Sequence, residues 1–326
     1  MADQVLITTV PFGALDRRPL QSLESAGVPY LINALGRRLK QEELADMIGD
    51  ASVPIAGTEP ITKRVMDRAH NLRLITRVGI GLDNVDLAAA RERGILVAYT
   101  PDAPSPAVAE LTVGLMLALA RSILHADRGI RNGSWHRFMG RRIGEMTVGI
   151  IGVGRVGKRV VRLLTGFGCP LLAHDIAPEL DFGGAHGVEW MVKDGLYRAS
   201  DIITVHLPLT PSTRNLITRY EMETMRRGAF IVNMSRGGIV NEHDLADVRR
   251  DGHLDGAAID VFQQEPYSGE LAALERCILT CHMGSMSEDC RARMELEAVE
   301  DAVRFLNGQP LSQLVPETEY ALQRGD

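Results

Sequence analysis

Three side chains that suit acid–base chemistry on an anionic compound stand in short motifs in the second half of the sequence. Arg236 lies in NMSRGG, Glu265 in DVFQQEP and His282 in CHMGS. An arginine offers a forked pair of N–H donors that matches a planar carboxylate or a polarised carbonyl, which a lysine cannot do. A histidine titrates near neutrality, and a carboxylate beside it would favour its charged form and orient its ring.

Each of these residues follows an apolar run that predicts a buried strand. From residue 147 onward such runs alternate with amphipathic segments, at residues 148–151, 171–174, 202–206, 230–233, 257–260 and 278–280. This alternation is typical of crossover units on a parallel sheet. Because ligands bind outside the carboxyl ends of the strands in such sheets, we expect the three side chains to converge there, together with His206 and Asp260.

A glycine-rich turn between the first of these strands and a helix predicts the binding of a dinucleotide. In GVGRVGKRVV the glycines are Gly152, Gly154 and Gly157, and Arg155 and Val156 lie between the last two. The first glycine makes a tight turn, the second lets a pyrophosphate approach the backbone, and the third allows close helix packing. Backbone N–H groups at the start of the helix would then face the phosphates.

Asp175 favours NAD as the cofactor. It stands at the end of the next predicted strand, eighteen residues after Gly157. A carboxylate there accepts hydrogen bonds from ribose hydroxyls and repels a 2′-phosphate, and no Arg or Lys follows it closely. With a cofactor that carries hydride, Arg236, Glu265 and His282 would suit the reduction of a 2-oxo acid.

The first hundred residues carry a second pattern of the same kind. Strand-like runs lie at residues 5–9, 29–33, 53–57, 72–78 and 95–99. Three prolines, at positions 101, 104 and 106, predict an irregular hinge before a strongly apolar helix. A helix near the C-terminus is expected to cross back to the first unit. The fold class expected is α/β, with two doubly wound parallel-sheet lobes formed by residues 1–100 with 286–326 and by residues 101–285.

Composition limits the partners that we expect. The 326 residues carry a net charge of −6 at pH 7, so no basic face predicts a nucleic acid as partner. Four irregularly spaced cysteines predict neither a disulfide framework nor a metal site. The N-terminus lacks the features of a signal peptide, and the longest apolar run, residues 111–120, is too short to span a bilayer. We therefore expect a cytoplasmic protein that binds no membrane.

The order of the motifs resembles the D-isomer-specific 2-hydroxyacid dehydrogenases, and TRVGIGLDNVDLAAARERGI is most similar to their 3-phosphoglycerate dehydrogenase branch. The resemblance runs from about residue 50 to 300. It implies a flavodoxin-like catalytic domain split by an inserted Rossmann domain, and homodimers built largely through the nucleotide-binding domains and the helix beginning near Val108. Because the chain ends soon after its last predicted helix, we expect no C-terminal amino-acid-binding regulatory domain.

The resemblance also implies roles for individual residues. Arg236 would orient and activate the substrate, His282 would be the acid and base, and Glu265 would tune it. Asp260 would hold the carboxamide of the cofactor, and Thr213 and Met234 would line it. The full set expected to contact NAD is Gly152, Gly154, Arg155, Val156, Gly157, Asp175, His206, Pro208, Thr213, Met234, Asp260, His282 and Gly284.

Substrate contacts are expected from the segment that precedes residue 82. The resemblance implies that Ile80 and Gly81 offer backbone N–H groups to the substrate carboxylate and that Arg77 reaches a substrate phosphate. A salt bridge from Arg77 to Asp83 or Asp86 is the alternative interpretation. The second basic residue expected in PIAGTEP is missing, and Ala103 and Pro104 replace the Gly-Asn that the family often has at the hinge.

These residues are compatible with several substrate classes. We expect a small anionic D-2-hydroxy acid and its 2-oxo acid, phosphorylated and phosphono acids included. Glu265 argues against formate oxidation, since the formate-oxidising relatives usually carry a glutamine there. The alternatives are a glyoxylate or hydroxypyruvate reductase, a phosphonate-type dehydrogenase and an NAD-sensing corepressor-like binding protein. The segment RNGSWHRFMGRR, residues 131–142, would form either a lid over an active site or ordinary interface packing.

Overall fold

The structure is a computed structural model that describes residues 4–324. Contacts between residues divide the described chain into two units. The discontinuous unit comprises residues 4–104 and 286–324, and the inserted unit comprises residues 105–285. Each unit is built around a parallel sheet of its own.

The two sheets together contain twelve strands within the described residues, and every pairing between named strands is parallel. The strands of the discontinuous unit are β1 (Val5–Ile7), β2 (Tyr30–Ile32), β3 (Val53–Ala56), β4 (Leu74–Arg77) and β5 (Leu96–Tyr99). Those of the inserted unit are β6 (Val148–Ile151), β7 (Leu171–His174), β8 (Val188–Trp190), β9 (Ile202–Val205), β10 (Phe230–Asn233), β11 (Gly256–Ile259) and β12 (Cys277–Leu279).

Helices connect most successive strands, as crossovers between parallel strands require. Within the described residues they are α1 (Arg18–Ser25), α2 (Gln41–Met47), α3 (Lys63–Met66), α4 (Leu87–Glu92), α5 (Ser105–Ala120), α6 (Ile123–Arg131), α7 (Arg155–Thr165), α8 (Leu180–His186), α9 (Lys193–Ala199), α10 (Arg219–Thr224), α11 (Glu242–Arg250), α12 (Glu288–Leu306) and α13 (Glu317–Arg324).

Both sheets have the strand order of a doubly wound fold, so the predicted fold class is confirmed. The five-stranded sheet has the order β2-β1-β3-β4-β5, which is the flavodoxin-like order. The seven-stranded sheet has the order β12-β11-β10-β9-β6-β7-β8, in which the chain reverses direction across the sheet between β6 and β9. Ligands of such sheets bind at the carboxyl ends of the strands beside this switch point.

Two details of the sequence-based prediction were wrong. Six strands were expected in the second half of the chain, and the inserted unit has a seventh, β8, at the edge of the sheet. Its sequence, Val-Glu-Trp, is too short and too polar to stand out as an apolar run. Regular structure was also not expected at the third hinge proline, yet α5 begins at Ser105 and includes Pro106. Proline is tolerated there because a helix leaves the first backbone N–H groups unpaired.

The apolar helix α5 lies in the core of the inserted unit. It packs against α7, β10 and β11, and its Ala109, Met116 and Leu119 are almost completely buried. A helix that is apolar on most of its faces is stable when neighbours cover it all round. No single helix among residues 4–324 is long and apolar enough to cross a membrane, while α5 and α6, bent by 64°, pass the same test only as a pair.

Candidate active site

The loop after β10 places Arg236 by means of two neighbours. Asn233 ends the strand, and its side chain both accepts hydrogen bonds from Ser235 and donates one to the Arg236 carbonyl oxygen at 3.0 Å. Gly237 follows, and a Cβ there would lie 1.9 Å from the Phe262 carbonyl carbon, so no other residue fits. The half-buried guanidinium donates to the Ser235 carbonyl oxygen at 2.7 Å. Arg236 is therefore held at the carboxyl end of β10, as the sequence predicted.

His282 and Glu265 form a close pair in the same unit. The His282 Nδ1 atom lies 3.0 and 3.1 Å from the two carboxylate oxygens of Glu265. A carboxylate only accepts hydrogen bonds, so Nδ1 carries the proton and the other ring nitrogen, Nε2, is left to exchange a proton elsewhere. Both side chains remain partly exposed, at 33% and 25%. The pairing that the sequence suggested by residue type is present in the structure.

The backbone of His282 is in an unusual conformation. Its φ of +53° lies in the left-handed region, which a residue with a side chain adopts at a cost of about 1–3 kcal/mol. A hydrogen bond from the His282 N–H to the Asp260 carbonyl oxygen, at 2.7 Å, holds this turn. Strain of this kind persists where the surrounding structure enforces it, and the imidazole on this turn pairs with Glu265.

Asp260 is the residue that enforces the turn. Its carboxylate is 1% exposed and accepts hydrogen bonds from the Thr280 hydroxyl at 2.6 Å and from the backbone N–H groups of Met283 and Gly284 at 2.9 and 2.8 Å. It therefore fixes the segment that carries His282. A Cβ at Gly284 would lie 3.1 Å from this carboxylate and 3.3 Å from the end of the Met234 side chain. The contact of Asp260 with the cofactor carboxamide stays a prediction.

The glycine turn has the shape that a dinucleotide requires. Gly152 has a φ of +90°, and a Cβ there would lie 2.5 Å from the His206 carbonyl oxygen. A Cβ at Gly157 would lie 2.1 Å from the Gly152 carbonyl oxygen, so α7 packs directly on the turn. A Cβ at Gly154 would meet no heavy atom within 4 Å. The protein itself thus requires Gly152 and Gly157, and the exposed Gly154 leaves the start of α7 open to a phosphate.

Asp175 joins the end of β7 to this turn. One carboxylate oxygen accepts a hydrogen bond from the Val153 N–H at 2.7 Å and the other from the Ala177 N–H at 2.9 Å. A carboxylate has about four acceptor positions, so two remain for the hydroxyls of a ribose. The glycine turn and Asp175 together fit the binding of NAD, and their individual contacts with the cofactor stay predictions.

The loop after β9 carries three further residues that the sequence assigned to the cofactor. His206 is bonded through Nε2 to the Thr204 hydroxyl at 3.0 Å, and its buried Nδ1 has no partner among the described residues. Burial lowers the pKa of His206 to about 3, so the ring is neutral near pH 7. The Thr213 hydroxyl donates to the Pro208 carbonyl oxygen at 2.6 Å and shapes its own turn. Cofactor contacts from these residues stay predictions.

Arg77 stabilises the predicted substrate loop of the discontinuous unit, residues 78–81, through hydrogen bonds to its backbone. The residue is only 3% exposed, and its guanidinium donates to the carbonyl oxygens of Gly81 and Val78, both at 3.0 Å. The position of a Cβ at Gly79 would lie 3.3 Å from two guanidinium nitrogens. Ile80 and Gly81 themselves are half-buried, and their N–H contacts with a substrate stay predictions. These hydrogen bonds stabilise the conformation of the loop, and a contact of Arg77 with a substrate phosphate stays a prediction.

The sequence did not point to three residues that the structure places beside these loops. Glu59 is 1% exposed and accepts hydrogen bonds from the Thr8 hydroxyl and from the Gly57 N–H. Asn84 donates to the Glu59 carbonyl oxygen at 2.7 Å and so ties the loop after β3 to the substrate loop. Glu242 accepts a hydrogen bond from the Gln263 N–H close to Glu265. The only feature of the sequence that could have pointed to Glu59 is its position shortly after the end of a predicted strand.

Replacement of Asp175 by serine is expected to weaken NADH binding and to reduce the preference for NADH over NADPH. Serine removes the acceptor for the ribose and the charge that repels a 2′-phosphate. We expect the Kd for NADH to rise at least about tenfold and the ratio of the two Kd values to approach one. Fluorescence titration with each cofactor measures this. Asp181→Ser, which removes an exposed acid on α8, is the control, and an unchanged ratio in the Asp175 variant would contradict the assignment.

Comparison with known proteins agrees with this geometry. Residues 113–284 match the model of a family described as D-isomer specific 2-hydroxyacid dehydrogenase, NAD binding domain. The D-3-phosphoglycerate dehydrogenase of Methanocaldococcus jannaschii is 39% identical over 278 residues, which are 83% of this chain and 53% of that protein. The hydroxypyruvate reductase of Thermotoga maritima is 36% identical over 283 residues, which are 84% of this chain and 91% of that protein.

A solved structure is similar over nearly the whole chain. The TT0316 protein from Thermus thermophilus superimposes with a TM-score of 0.86 at 34% sequence identity, covering 96% of this chain and 100% of that one. The chain spans only about half the length of the M. jannaschii relative, so whole-protein properties of that relative do not transfer directly. The family model and the relatives together show that the chain belongs to the D-isomer specific 2-hydroxyacid dehydrogenase family, with its NAD binding domain within residues 113–284.

Proposed function

We propose that this protein is an NAD-dependent oxidoreductase that interconverts a small D-2-hydroxy acid and its 2-oxo acid. The observation that carries the proposal is the pairing of His282 Nδ1 with both carboxylate oxygens of Glu265, at 3.0 and 3.1 Å. This pairing leaves Nε2 as the proton-exchanging atom of the ring, because Nδ1 is committed to the carboxylate. Membership of the dehydrogenase family supports the same activity.

The residues of the inserted unit supply proton transfer and charge stabilisation. NADH, when bound, supplies the hydride that reaches the carbonyl carbon of the substrate. The protonated His282 donates its Nε2 proton to the carbonyl oxygen, and the ring becomes neutral. Glu265 stabilises the charged imidazole before this transfer, and Arg236 offers N–H donors to the developing negative charge. In the oxidation of the hydroxy acid, Nε2 takes the proton back.

The environment of Arg77 favours an unphosphorylated substrate. Its guanidinium is nearly inaccessible and is bonded to carbonyl oxygens of the loop that it supports. The loop after the adjacent strand β3 contributes a buried carboxylate, Glu59, where a second positively charged residue was expected from the sequence. A phosphate dianion brought to this loop would meet a guanidinium already bonded to backbone carbonyl oxygens, and a poorly paired charge is costly when it leaves water. We therefore infer a preference for glyoxylate-like or hydroxypyruvate-like acids.

The 3-phosphoglycerate type of substrate is the second candidate. The M. jannaschii relative, at 39% identity, bears the name D-3-phosphoglycerate dehydrogenase, whereas other relatives are named hydroxypyruvate reductase and glyoxylate reductase. Overall sequence identity does not separate these substrate classes, because only a few residues contact the substituent that distinguishes one acid from another. The charge around the substrate loop is the more direct guide.

A substrate panel tests this preference. We expect kcat/KM for glyoxylate or hydroxypyruvate to exceed that for phosphohydroxypyruvate and phosphonopyruvate at least about tenfold, since one missing charge partner is worth more than about 1.4 kcal/mol. The measurement is the rate of NADH oxidation with each acid. Faster turnover of a phosphorylated or phosphono acid would contradict the inference. No turnover of any acid, together with tight NADH binding, would favour the corepressor-like binding role instead.

His282→Ala is expected to lower kcat by about a hundredfold or more while leaving NADH binding nearly intact, because the main loss is that of the proton transfer. Stopped-flow rates and fluorescence titration of NADH measure the two effects separately. His243→Ala is the matched control, since His243 lies in the same unit with a side chain 73% exposed and paired with Glu270. Normal turnover of the His282 variant would remove this residue from the mechanism.

We also propose that the protein forms a homodimer through α6 and the segment that follows it. Three apolar side chains of α6, Ile123, Leu124 and Ile130, are about half exposed, and Trp135 and Met139 are 83% and 99% exposed. Large apolar side chains clustered on a surface are typical of a protein–protein interface. The segment 131–142 is accordingly proposed as interface packing.

Replacement of both Trp135 and Met139 by serine is expected to convert the dimer into a monomer, because it removes the two most exposed apolar side chains of this surface. Light scattering after size exclusion should then give a mass near 35.7 kDa, and the unmodified protein is expected to give about twice that value. Tyr220→Ser, at another exposed aromatic residue of the same unit, is the control. A dimer that survives the double substitution would place the interface elsewhere.

A further inference from the structure

Two carboxylates hold successive backbone N–H groups in the loop that carries Glu265. The Phe262 N–H donates to Glu265 Oε1 at 3.1 Å, and the Gln263 N–H donates to Glu242 Oε1 at 2.6 Å. Glu265 belongs to this loop, whereas Glu242 is the first residue of α11. The second hydrogen bond therefore connects the loop after β11 to the helix that follows the Arg236 loop.

The peptide between Phe262 and Gln263 is enclosed on the other side as well. A Cβ at Gly237 would lie 1.9 Å from the Phe262 carbonyl carbon and 2.3 Å from the Gln263 nitrogen, so the residue after Arg236 packs directly on this peptide. The Phe262 ring stacks on Tyr267, with ring centroids 4.1 Å apart. A displacement of the peptide would therefore move Glu265 relative to His282 and would disturb the backbone next to Arg236.

We propose that Glu242 is a positioning residue for the reaction. By holding the Gln263 N–H it fixes the Phe262–Gln263 peptide, and this peptide in turn directs the Glu265 carboxylate toward His282. Glu242 acts on Glu265 through the loop, by its hydrogen bond to the Gln263 N–H. The inference rests on the proposed function, since it concerns how the proposed acid–base pair is held.

The surroundings of Glu242 distinguish this role from an ordinary acid at the start of a helix. A carboxylate in the first turn interacts favourably with the helix dipole without any further contact. Asp244 also lies in this first turn, and the N-cap of α11 is Asn241, which accepts from the Asp244 N–H at 3.0 Å. Glu242 is half-buried and bonded to a different loop, and burial raises its pKa, with the Glu265 charge adding to the effect.

The charge of Glu242 also bears on the direction of Glu265. Like charges repel more strongly where burial lowers the local dielectric constant. Glu265 accepts a hydrogen bond from Phe262 and faces His282, and an orientation toward Glu242 would bring two carboxylates together. The hydrogen bond between Glu242 and Gln263 and the repulsion between Glu242 and Glu265 have the same effect, because both favour the orientation in which Glu265 contacts His282.

Two substitutions at Glu242 separate a hydrogen-bonding role from a general structural one. In Glu242→Ala no side chain accepts from the Gln263 N–H, and we expect kcat to fall about 10- to 100-fold with the KM for NADH within about twofold of its original value. In Glu242→Gln the amide oxygen can accept the same hydrogen bond, and we expect most of kcat to return. Steady-state kinetics with the best acid of the panel measure both variants.

The matched control is Glu221→Ala. Glu221 lies in the first turn of α10 in the same unit, and its carboxylate likewise accepts from a backbone N–H, that of Thr218 at 2.8 Å. Loss of this interaction should lower the melting temperature while leaving kcat and KM unchanged. If Glu242→Ala changes only the melting temperature, as Glu221→Ala is expected to do, the positioning role is overturned. A loss of kcat in Glu242→Gln as large as in Glu242→Ala would overturn it too.

Hydrogen exchange provides a readout that does not depend on turnover. Mass spectrometry of a peptide covering residues 262–267 should show faster exchange in Glu242→Ala and unchanged exchange in Glu242→Gln. Equal exchange in all three proteins would overturn the proposed hold on the loop. If the unmodified protein oxidises NADH with none of the acids, the proposed function fails, and the exchange experiment still decides whether Glu242 holds the loop.

Discussion

The burial of both faces of the parallel sheet is the constraint on which the candidate site depends. All residues of β6, β9, β10 and β11 are buried in the inserted unit, so these strands are almost entirely apolar. Polar side chains that could do chemistry therefore have to stand beyond the strands. Arg236 follows β10 closely, Glu265 follows β11, and His282 follows β12. Because the strands are parallel, their carboxyl ends share one edge of the sheet.

The loops at this edge are held by carboxylates and close packing rather than by regular structure. Asp260 fixes the segment around His282 through three hydrogen bonds, and Asp175 fixes the glycine turn through the Val153 N–H. Hydrogen bonds to a charged acceptor are stronger than those between neutral groups, with net contributions of about 1.5–3 kcal/mol. Glycines at 152, 157 and 237 allow backbones to approach more closely than any side chain would permit. Such loops can hold catalytic groups in well-defined positions even though these groups do not lie on a helix or a strand.

Arg77 and Arg236 illustrate how burial decides what an arginine does. Both follow apolar runs and precede glycine-containing loops, so the sequence patterns around them are alike. Arg77 is 3% exposed and bonded to the carbonyl oxygens of the loop above it, whereas Arg236 is half-buried. A guanidinium enclosed by carbonyl oxygens supports a backbone, while one that keeps access to solvent can still meet a ligand. The inferred preference for an unphosphorylated acid follows from this difference.

The sequence by itself determined the features that depend on short stretches of chain. Alternating apolar runs and amphipathic segments predicted the two parallel sheets, and the spacing of Gly152, Gly154 and Gly157 predicted the nucleotide turn, because these patterns reflect local conformation and burial. Only the tertiary structure decided which distant groups meet. Neither the burial of Arg77 nor the hydrogen bond from Gln263 to Glu242, twenty-one residues away, has a local signature. Contacts of that kind depend on how whole elements pack, and the short edge strand β8 likewise forms only because a neighbouring strand offers it partners.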